Sequence, residues 1–313
     1  SFTVNDAPTL TVTSPSDEGS TDDFAATVLG NAWDMNVVSD VEAFFGVSGQ
    51  PAITTISAET PAGTSLGNVS VLSATSAAVA PPAGDPILQL FATQAATKRI
   101  DPARYRILTV EYGIPNLARS MNLGSVARVV WRVAGDNDSV SDDIILNSRA
   151  GANVMDKFSL DMADRVVLPI EEGSQIGWVP GSSALPGIQR FRFDPHEFPG
   201  ATPFYVRRIK LAALERVAPG ANYTFHWTAS KSSGTVTLYY DTDRNPSNGK
   251  TQIGNAATSA GALVWNAPSL PLGEYHIYAE INDGQNINGT YSRWPLIVGQ
   301  GPPSSPPNFR IVH

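Results

Sequence analysis

The stretch ARVVWRV, residues 127–133, has an apolar side chain at every second position and two arginines between them, and it indicates how the chain folds. Successive side chains of an extended strand point to opposite faces of the sheet. One face of this strand would carry the apolar residues Ala127, Val129, Trp131 and Val133. The opposite face would carry Arg128, Val130 and Arg132. Because this pattern is typical of a half-buried strand, it predicts that Trp131 lies in a core.

The same period of two recurs in short bursts along the chain. In EYHIYAEI, residues 274–281, one face would hold Tyr275, Ile277, Ala279 and Ile281, and the other His276, Tyr278 and Glu280. No segment keeps an apolar period of about 3.6 residues over three turns. Turns rich in Gly, Pro, Asn and Asp separate the bursts. The pattern therefore predicts an all-β fold with few helices.

Composition and charge exclude several classes of partner. The chain has 313 residues and a net charge of −8, whereas nucleic acids and anionic membranes select basic surfaces. It has no cysteine, so it can form neither a disulfide nor a thiolate metal site. No apolar run approaches the roughly 18 residues of a membrane-spanning helix. We therefore expect no nucleic-acid partner and no membrane insertion.

The length suits two domains, and the motif VAPGAN at residues 217–222 marks a boundary between two series of strands. We predict a jelly-roll-like β-sandwich with an N-terminal extension over residues 1–217. A smaller immunoglobulin-like β-sandwich would follow over residues 218–299. Residues 300–313 would form a Pro/Ser-rich tether that ends in a strand-like segment.

Two parts of the chain resemble known modules. The stretches GTVTLYYDTDRNPSNG, LVWNAPSLPLGEYHIYAEINDG and YSRWPLIV resemble the Ig-like modules of large bacterial secreted and surface proteins. PPSSPPNFRIV resembles the opening strand of a fibronectin type III domain. DDFAATVLGNAWDM and FRFDPHEFPGATPFYVRRIKL are similar to carbohydrate-binding-module-like jelly rolls. These resemblances imply an extracellular or cell-surface protein, but a fold shared by many functions does not assign one.

Motifs for catalysis are missing from the sequence. It contains no H-E-x-x-H, no G-x-G-x-x-G and no Walker motif, and its one G-x-S-x-G match, GTSLG at residues 63–67, lies in a stretch interpreted as edge strands and loops rather than at a strand-to-helix elbow. It also lacks the E-x-D-x-x-E strand pattern that places the two carboxylates of many jelly-roll glycanases in one cleft. We therefore expect a protein that is not an enzyme.

The stretch RFRFDPHEF, residues 190–198, places three ionisable residues, Asp194, His196 and Glu197, close together. Pro195 removes a backbone donor and would end the strand there. Asp194 could then pair with Arg190 or Arg192, which predicts a structural corner. A metal or acid–base site stays open as the alternative.

Two acidic loops could hold calcium, the only cofactor that the sequence suggests. DTDRNPSNG places the oxygens of Asp241, Asp243 and Asn245 at alternate positions, as EF-type loops do, but it lacks their closing Glu. DNDSVSDD supplies Asp136 and Asp138 among its carboxylates. In both cases a solvated turn is the alternative to a weak site.

Exposed aromatic faces that stack on sugar rings are the usual basis of glycan binding by β-sandwiches. Trp33 and Trp178 lie in loop-like contexts and are the candidates for such a surface, with packed loop anchors as the alternative. Trp131 and Trp265 lie in alternating apolar strands and are expected in cores.

Three functions therefore compete. The first is a non-catalytic structural or adhesive region of a bacterial surface or secreted protein, in contact with neighbouring domains or subunits. The second is a carbohydrate-binding accessory region of a glycan-degrading enzyme, with polysaccharide as its partner. The third is a filament or surface-layer subunit that assembles by strand addition.

Overall fold

The computed structural model describes residues 6–45, 55–59, 69–74, 87–113, 126–146, 156–169, 175–194, 204–267 and 270–300. The chain forms two compact units. The central unit is Asp22–Ala213, and the terminal unit combines Ser1–Thr21 with Leu214–His313. Nearly all regular elements in the described ranges are strands, and they form several sheets. The predicted all-β fold is therefore confirmed.

The central unit contains two sheets. Its strands are β2 (Ala43–Phe45), β3 (Thr55–Glu59), β4 (Val69–Ala74), β5 (Ile87–Ala92), β6 (Tyr105–Gly113), β7 (Val126–Val133), β8 (Asp138–Val140), β9 (Ile144–Ile145), β10 (Asp156–Asp161), β11 (Ile188–Asp194) and β12 (Phe204–Ala213). The β6 sheet has the order β10-β6-β12-β4-β3. The β7 sheet has the order β2-β5-β11-β7-β8, and β9 also pairs with β7.

One continuous core joins the two central sheets into a sandwich. Leu108 and Leu211 enter it from the β6 sheet, and Trp131 and Phe191 enter it from the β7 sheet. Aromatic side chains fill much of this volume, as expected for cores in which large rings contribute most of the buried apolar area.

The terminal unit is a second, smaller sandwich. Its strands are β1 (Leu10–Val12), β13 (Arg216–Val217), β14 (Asn222–Ala229), β15 (Thr235–Asp241), β16 (Thr251–Ala257), β17 (Ala262–Asn266), β18 (Gly273–Asn282), β19 (Ile287–Tyr291) and β20 (Leu296–Val298). The β14 sheet has the order β1-β14-β17. The β18 sheet has the order β13-β20-β18-β15-β16, and β19 also pairs with β18. Phe225 of the β14 sheet and Ile277 of the β18 sheet belong to the same core.

The N-terminal segment belongs to a different unit from the one predicted by a division at residue 217. Leu10, Thr11 and Val12 pair with Ala229, Thr228 and Trp227 of β14. The side chain of Val12 is buried in the core of the terminal unit, and that of Leu10 packs against the same core. The described residues before Asp22 therefore complete the sandwich formed by the C-terminal strands, whereas the sequence had placed them in the first domain.

Helical structure in the described ranges consists of short turns. They are a π-helical turn at Ala25–Leu29 and 3-10 turns at Val38–Asp40, Ala96–Lys98, Met162–Asp164 and Thr258–Ala260. Over the residues that the structure describes, no helix has the length and apolar character needed to cross a membrane.

The predicted alternation of side chains is confirmed in both units. The apolar residues of one face are all buried: Ala127, Val129, Trp131 and Val133 in β7, and Tyr275, Ile277, Ala279 and Ile281 in β18. Arg128, Arg132, His276 and Tyr278 are half-buried on the opposite faces. Trp265 is also buried, as expected.

The stretch beginning RFRFD forms the end of β11. Phe191 and Phe193 are buried, and the Nε and Nη2 atoms of Arg192 donate to the two carboxylate oxygens of Asp194 at 3.1 and 3.0 Å. The predicted pairing of Asp194 with a strand arginine is therefore confirmed. His196 and Glu197 lie outside the described residues.

Candidate functional site

The two tryptophans proposed for sugar stacking are core residues. Trp33 is 2% exposed and stacks on Phe191 with 6.1 Å between ring centroids. Trp178 is 5% exposed, and its indole N–H donates to the Tyr105 carbonyl at 3.0 Å. Each loop folds back onto the sandwich because an indole removes much apolar area from water. Neither ring offers a face to a sugar, which corrects the sequence-based assignment in favour of packed anchors.

The loop after β15 uses its side-chain oxygens within itself. The Oδ1 atoms of Asp241, Asp243 and Asn245 each accept a hydrogen bond from the backbone N–H two residues later, at 3.3, 2.8 and 3.1 Å. Such consecutive Asx turns require oxygen-bearing residues at the same alternate spacing as an EF-type loop. The D-x-D-x-N pattern is therefore accounted for by turn formation.

The second acidic loop joins β7 to β8 and forms ion pairs. Asp136 is exposed in the hairpin turn, whereas Asp138 is half-buried. The carboxylate of Asp138 accepts from Nε of Arg132 at 2.8 Å and from Nη1 of Arg190 at 3.0 Å. Among the described residues, no group of three or more His, Cys, Asp or Glu side chains is placed to hold a metal ion. Calcium binding at either loop stays a sequence-based prediction.

A row of three tyrosines crosses the face of the β18 sheet that points away from the core. Tyr239 of β15 is the register partner of Tyr278 of β18, which in turn is the partner of Tyr291 of β19. The ring centroids are 6.1 Å apart between the first two and 4.9 Å between the last two. All three residues are half-buried, so each keeps some surface exposed to solvent. We call Tyr239, Tyr278 and Tyr291 the tyrosine row.

Neighbouring residues hold the rings of the row in place. The hydroxyl of Tyr291 donates to Oδ2 of buried Asp241 at 2.8 Å. The ring of Tyr278 lies over Gly289, where an added Cβ would come within 2.0 Å of the phenol oxygen. A glycine on an edge strand that is covered by a cross-strand ring is a known way to fix an aromatic side chain. The positions of these rings are therefore set by the sheet.

One lysine and one glutamate complete the surface of the row. The Nζ atom of Lys250 lies 4.7 Å from the centroid of Tyr239 and 4.6 Å from that of Tyr278. It is also 4.0 Å from Oε2 of Glu280. A cation over a partly exposed ring gains only about 0.5–1 kcal/mol, so a ligand on the rings can displace this ammonium and bond to it.

The row lies in an electrostatic setting that keeps its hydroxyls neutral. Burial, with the nearby Glu280 carboxylate, raises the pKa of Tyr239 and Tyr278 above the usual value. Burial, followed by the hydrogen bond to Asp241, raises the pKa of Tyr291. Neutral phenols both donate and accept hydrogen bonds. The row can therefore contact a neutral, hydroxyl-rich ligand through ring faces and hydroxyls.

His276 lies beside the row and lacks a bond on one nitrogen. Its ring is 6.4 Å from that of Tyr291, and its Nδ1 is buried with no hydrogen-bond partner among the described residues. Burial, and then the positive charge of Arg244, lowers the pKa of His276. The imidazole is therefore favoured in its neutral form at the edge of the row.

Sequence reasoning missed the tyrosine row, although half of the signal was available. The alternation in EYHIYAEI already placed Tyr278 on the face opposite to the core. Tyr239 and Tyr291 become its neighbours only through the pairing registers of β15 and β19. Those registers depend on the lengths and conformations of the connecting loops.

Comparison with known proteins adds little to this description. No protein-family model matches the chain. No curated protein sequence matches it either.

Two solved structures show distant similarity. An AA10 lytic polysaccharide monooxygenase (LPMO) from Streptomyces lividans has 18% identity over 26% of this chain and 58% of its own, with a TM-score of 0.21. A marsupial T cell receptor has 9% identity over 71% of this chain and 70% of its own, also with a TM-score of 0.21. The match spans less than two thirds of the monooxygenase chain. Scores this low carry no inference about function.

Proposed function

We propose that the chain is a non-catalytic β-sandwich region of an extracellular or cell-surface protein, and that its terminal unit adheres to neutral polysaccharide. The observation that supports adhesion is the tyrosine row, in which half-buried tyrosines on three adjacent strands are held by the sheet. The planes of neighbouring rings are inclined by 45° and 54°, so each ring can pack against the apolar face of a different sugar unit along a twisted polysaccharide chain.

The polar groups around the row fit hydroxyl-rich ligands. Lys250 donates hydrogen bonds and Glu280 accepts them, so both needs of a sugar hydroxyl are met beside the rings. Because the charges of Lys250 and Glu280 are opposite, the pair favours neither an anionic nor a cationic polysaccharide. The ring faces give affinity, and the flanking groups fix the orientation of the chain.

Affinity electrophoresis of the whole chain tests this function. The soluble probes, added to the gel, are xylan, mannan, mixed-linkage β-glucan and starch. Pull-down on cellulose and chitin tests the insoluble polysaccharides. We expect at least one of them to retard the wild type, and Tyr239→Ala or Tyr278→Ala to abolish the retardation. Val264→Ala, which truncates an exposed side chain on the other sheet, should behave as wild type. Migration of the wild type unaffected by every polysaccharide, or row variants that bind normally, would overturn the proposal.

A second candidate function is supported by strand β16. It is an edge strand of the β18 sheet, and no described strand pairs with its outer edge. Its sequence TQIGNAA contains no charged residue and no proline, although natural edge strands commonly use these to prevent association. We therefore also propose assembly of copies through β16.

Electron microscopy and sedimentation should show assemblies that Asn255→Lys disrupts and that Thr224→Lys, in the interior strand β14, leaves intact. Monomers at every concentration would refute it.

A further inference from the structure

A cleft of about 350 Å³ opens in the terminal unit at the end of the tyrosine row. It is lined by the polar residues Thr11, Thr13, Asp17, Thr290, Tyr291 and Arg293, and by Leu10 and Val12 of β1. Ligand pockets in proteins typically have about 300–1,000 Å³, so this one suits a small ligand. Tyr291 belongs to both the row and the cleft, which makes the two surfaces continuous.

The cleft exists because two edge strands from different sheets face each other. β1 pairs along one side with β14, and β19 pairs along one side with β18. Side-chain hydrogen bonds hold the two walls together on both sides of the opening. Nδ2 of Asn288 donates to the Pro8 carbonyl at 2.9 Å, and the indole N–H of Trp294 donates to the Asp17 carbonyl at 2.8 Å. A cleft fixed in this way loses little entropy when a ligand enters.

The polar lining matches the hydrogen-bonding pattern of a sugar. Threonine hydroxyls donate and accept, the Asp17 carboxylate accepts, and the Arg293 guanidinium donates. Each hydroxyl on a sugar ring needs a donor and an acceptor, and the lining supplies both. One acidic and one basic side chain together give no preference for an anion or a cation. The ligand favoured by this chemistry is a neutral ring bearing several hydroxyls.

We propose that this cleft binds one sugar ring, at a chain end or a side branch, of the neutral polysaccharide that the tyrosine row holds along its length. The inference rests on the proposed adhesive function for its polysaccharide, and the cleft adds recognition of a terminus or branch. The row supplies affinity for the repeated part of the polymer, and the cleft supplies selectivity among polymers.

Isosteric variants of the cleft test this assignment. Thr11→Val with Thr290→Val removes two hydroxyls while it keeps side-chain shape and β-branching. We expect affinity for the retained polysaccharide to fall about tenfold, since two net hydrogen bonds are lost. Thr224→Val, an exposed threonine of β14 outside the cleft, is the matched control and should bind as wild type.

Monosaccharide probes separate the cleft from the row. Saturation-transfer NMR with glucose, galactose, mannose, xylose and N-acetylglucosamine should detect binding that the threonine double variant loses and that Tyr239→Ala, at the far end of the row, keeps. Row variants that abolish polysaccharide binding while the threonine variant changes nothing would overturn the cleft assignment and leave the adhesive function standing. Binding of monosaccharide in the cleft by a chain that no polysaccharide retards would support the sugar-binding cleft and overturn the adhesive function.

Discussion

The outer faces of the β7 sheet and the β18 sheet are built from different side chains. On the β7 sheet, four half-buried arginines lie across two strands, and each forms an ion pair with an aspartate: Arg128 with Asp143, Arg132 and Arg190 with Asp138, and Arg192 with Asp194. On the β18 sheet, the outer face holds the tyrosine row with one lysine and one glutamate. The first face pairs its charges internally, and the second leaves ring area for a ligand.

The difference shows how a sheet face can be polar without being a binding site. Val130 lies on the arginine face and is the register partner of Arg192, yet it is only 1% exposed. The aliphatic stems of long side chains can cover such a residue while their charged ends pair at the surface. We infer that the arginine face stabilises the central unit, whereas the row of the terminal unit is available for contact.

The largest expected effect concerns an aromatic residue that sequence reasoning placed on a binding surface. Trp178→Ala should lower the free energy of unfolding of the central unit by about 3–5 kcal/mol, because it removes a buried indole and leaves a cavity. Urea unfolding followed by circular dichroism measures it. Val179→Ala, at an exposed neighbour, should change stability by less than about 0.5 kcal/mol. A Trp178 variant of normal stability would contradict its role as a core residue.

The limits of sequence reasoning follow from such residues. Alternation predicted the faces of β7 and β18 because it depends only on local geometry. Trp33 was misplaced because its position depends on a distant contact: its carbonyl accepts from the N–H of Ile209 in β12 at 2.9 Å. No periodic pattern in the loop around Trp33 reports that contact. The ion pairs of Asp138 and the arrangement of the three tyrosines as neighbours could not be predicted for the same reason, since both depend on strand register.

The next effect tests the internal pairing of the arginine face. Asp138→Ala should cost about 1–2 kcal/mol, because Arg132 and Arg190 are register partners and would face each other without the carboxylate they share. Thermal and urea unfolding measure it. Asp143→Ala is the control, since its half-exposed carboxylate pairs with Arg128 alone, and it should cost about 0.5 kcal/mol or less. Equal losses in the two variants would show that the shared carboxylate has no special role.

A variant with a smaller effect on stability, Gly289→Ala, tests whether binding depends on the positions of the three rings as well as on their presence. Gly289→Ala keeps all three tyrosines but forces the Tyr278 ring to move, because the new Cβ would meet it. The ring lies on the outer face of the sheet and can swing aside, so we expect a loss of about 1 kcal/mol or less. Polysaccharide retention should fall as far as in Tyr278→Ala. Normal retention would mean that the fixed position of the ring is unimportant.

The smallest effect is a pH dependence next to the row. The folded pKa of His276 is lowered, so below the unfolded value of about 6.5 the unfolded chain binds more protons at this residue than the folded chain. Its contribution to stability is therefore present above that value and is lost as the pH falls through the folded pKa. Arg244 opposes protonation, whereas Glu274, Asp241 and Asp243 favour it.

Urea unfolding at a series of pH values measures this contribution. The free energy of unfolding of His276→Gln should fall less than that of the wild type as the pH is lowered from neutrality. His226→Gln, at an exposed histidine of β14, is the control and should follow the wild type. Identical slopes for His276→Gln and the wild type would contradict the lowered pKa.

The pairing of β1 with β14 has a consequence for the order in which the chain is made. The whole central unit is synthesised between these two strands. β1 therefore stays unpaired until more than half of the polypeptide has been synthesised. Domains generally fold as units during synthesis, which favours completion of the inserted sandwich first. The terminal unit can be completed only afterwards, when β14 has been synthesised and pairs with β1. A piece cut at residue 218 would lack that strand, and the row and cleft should be studied in the uncut chain.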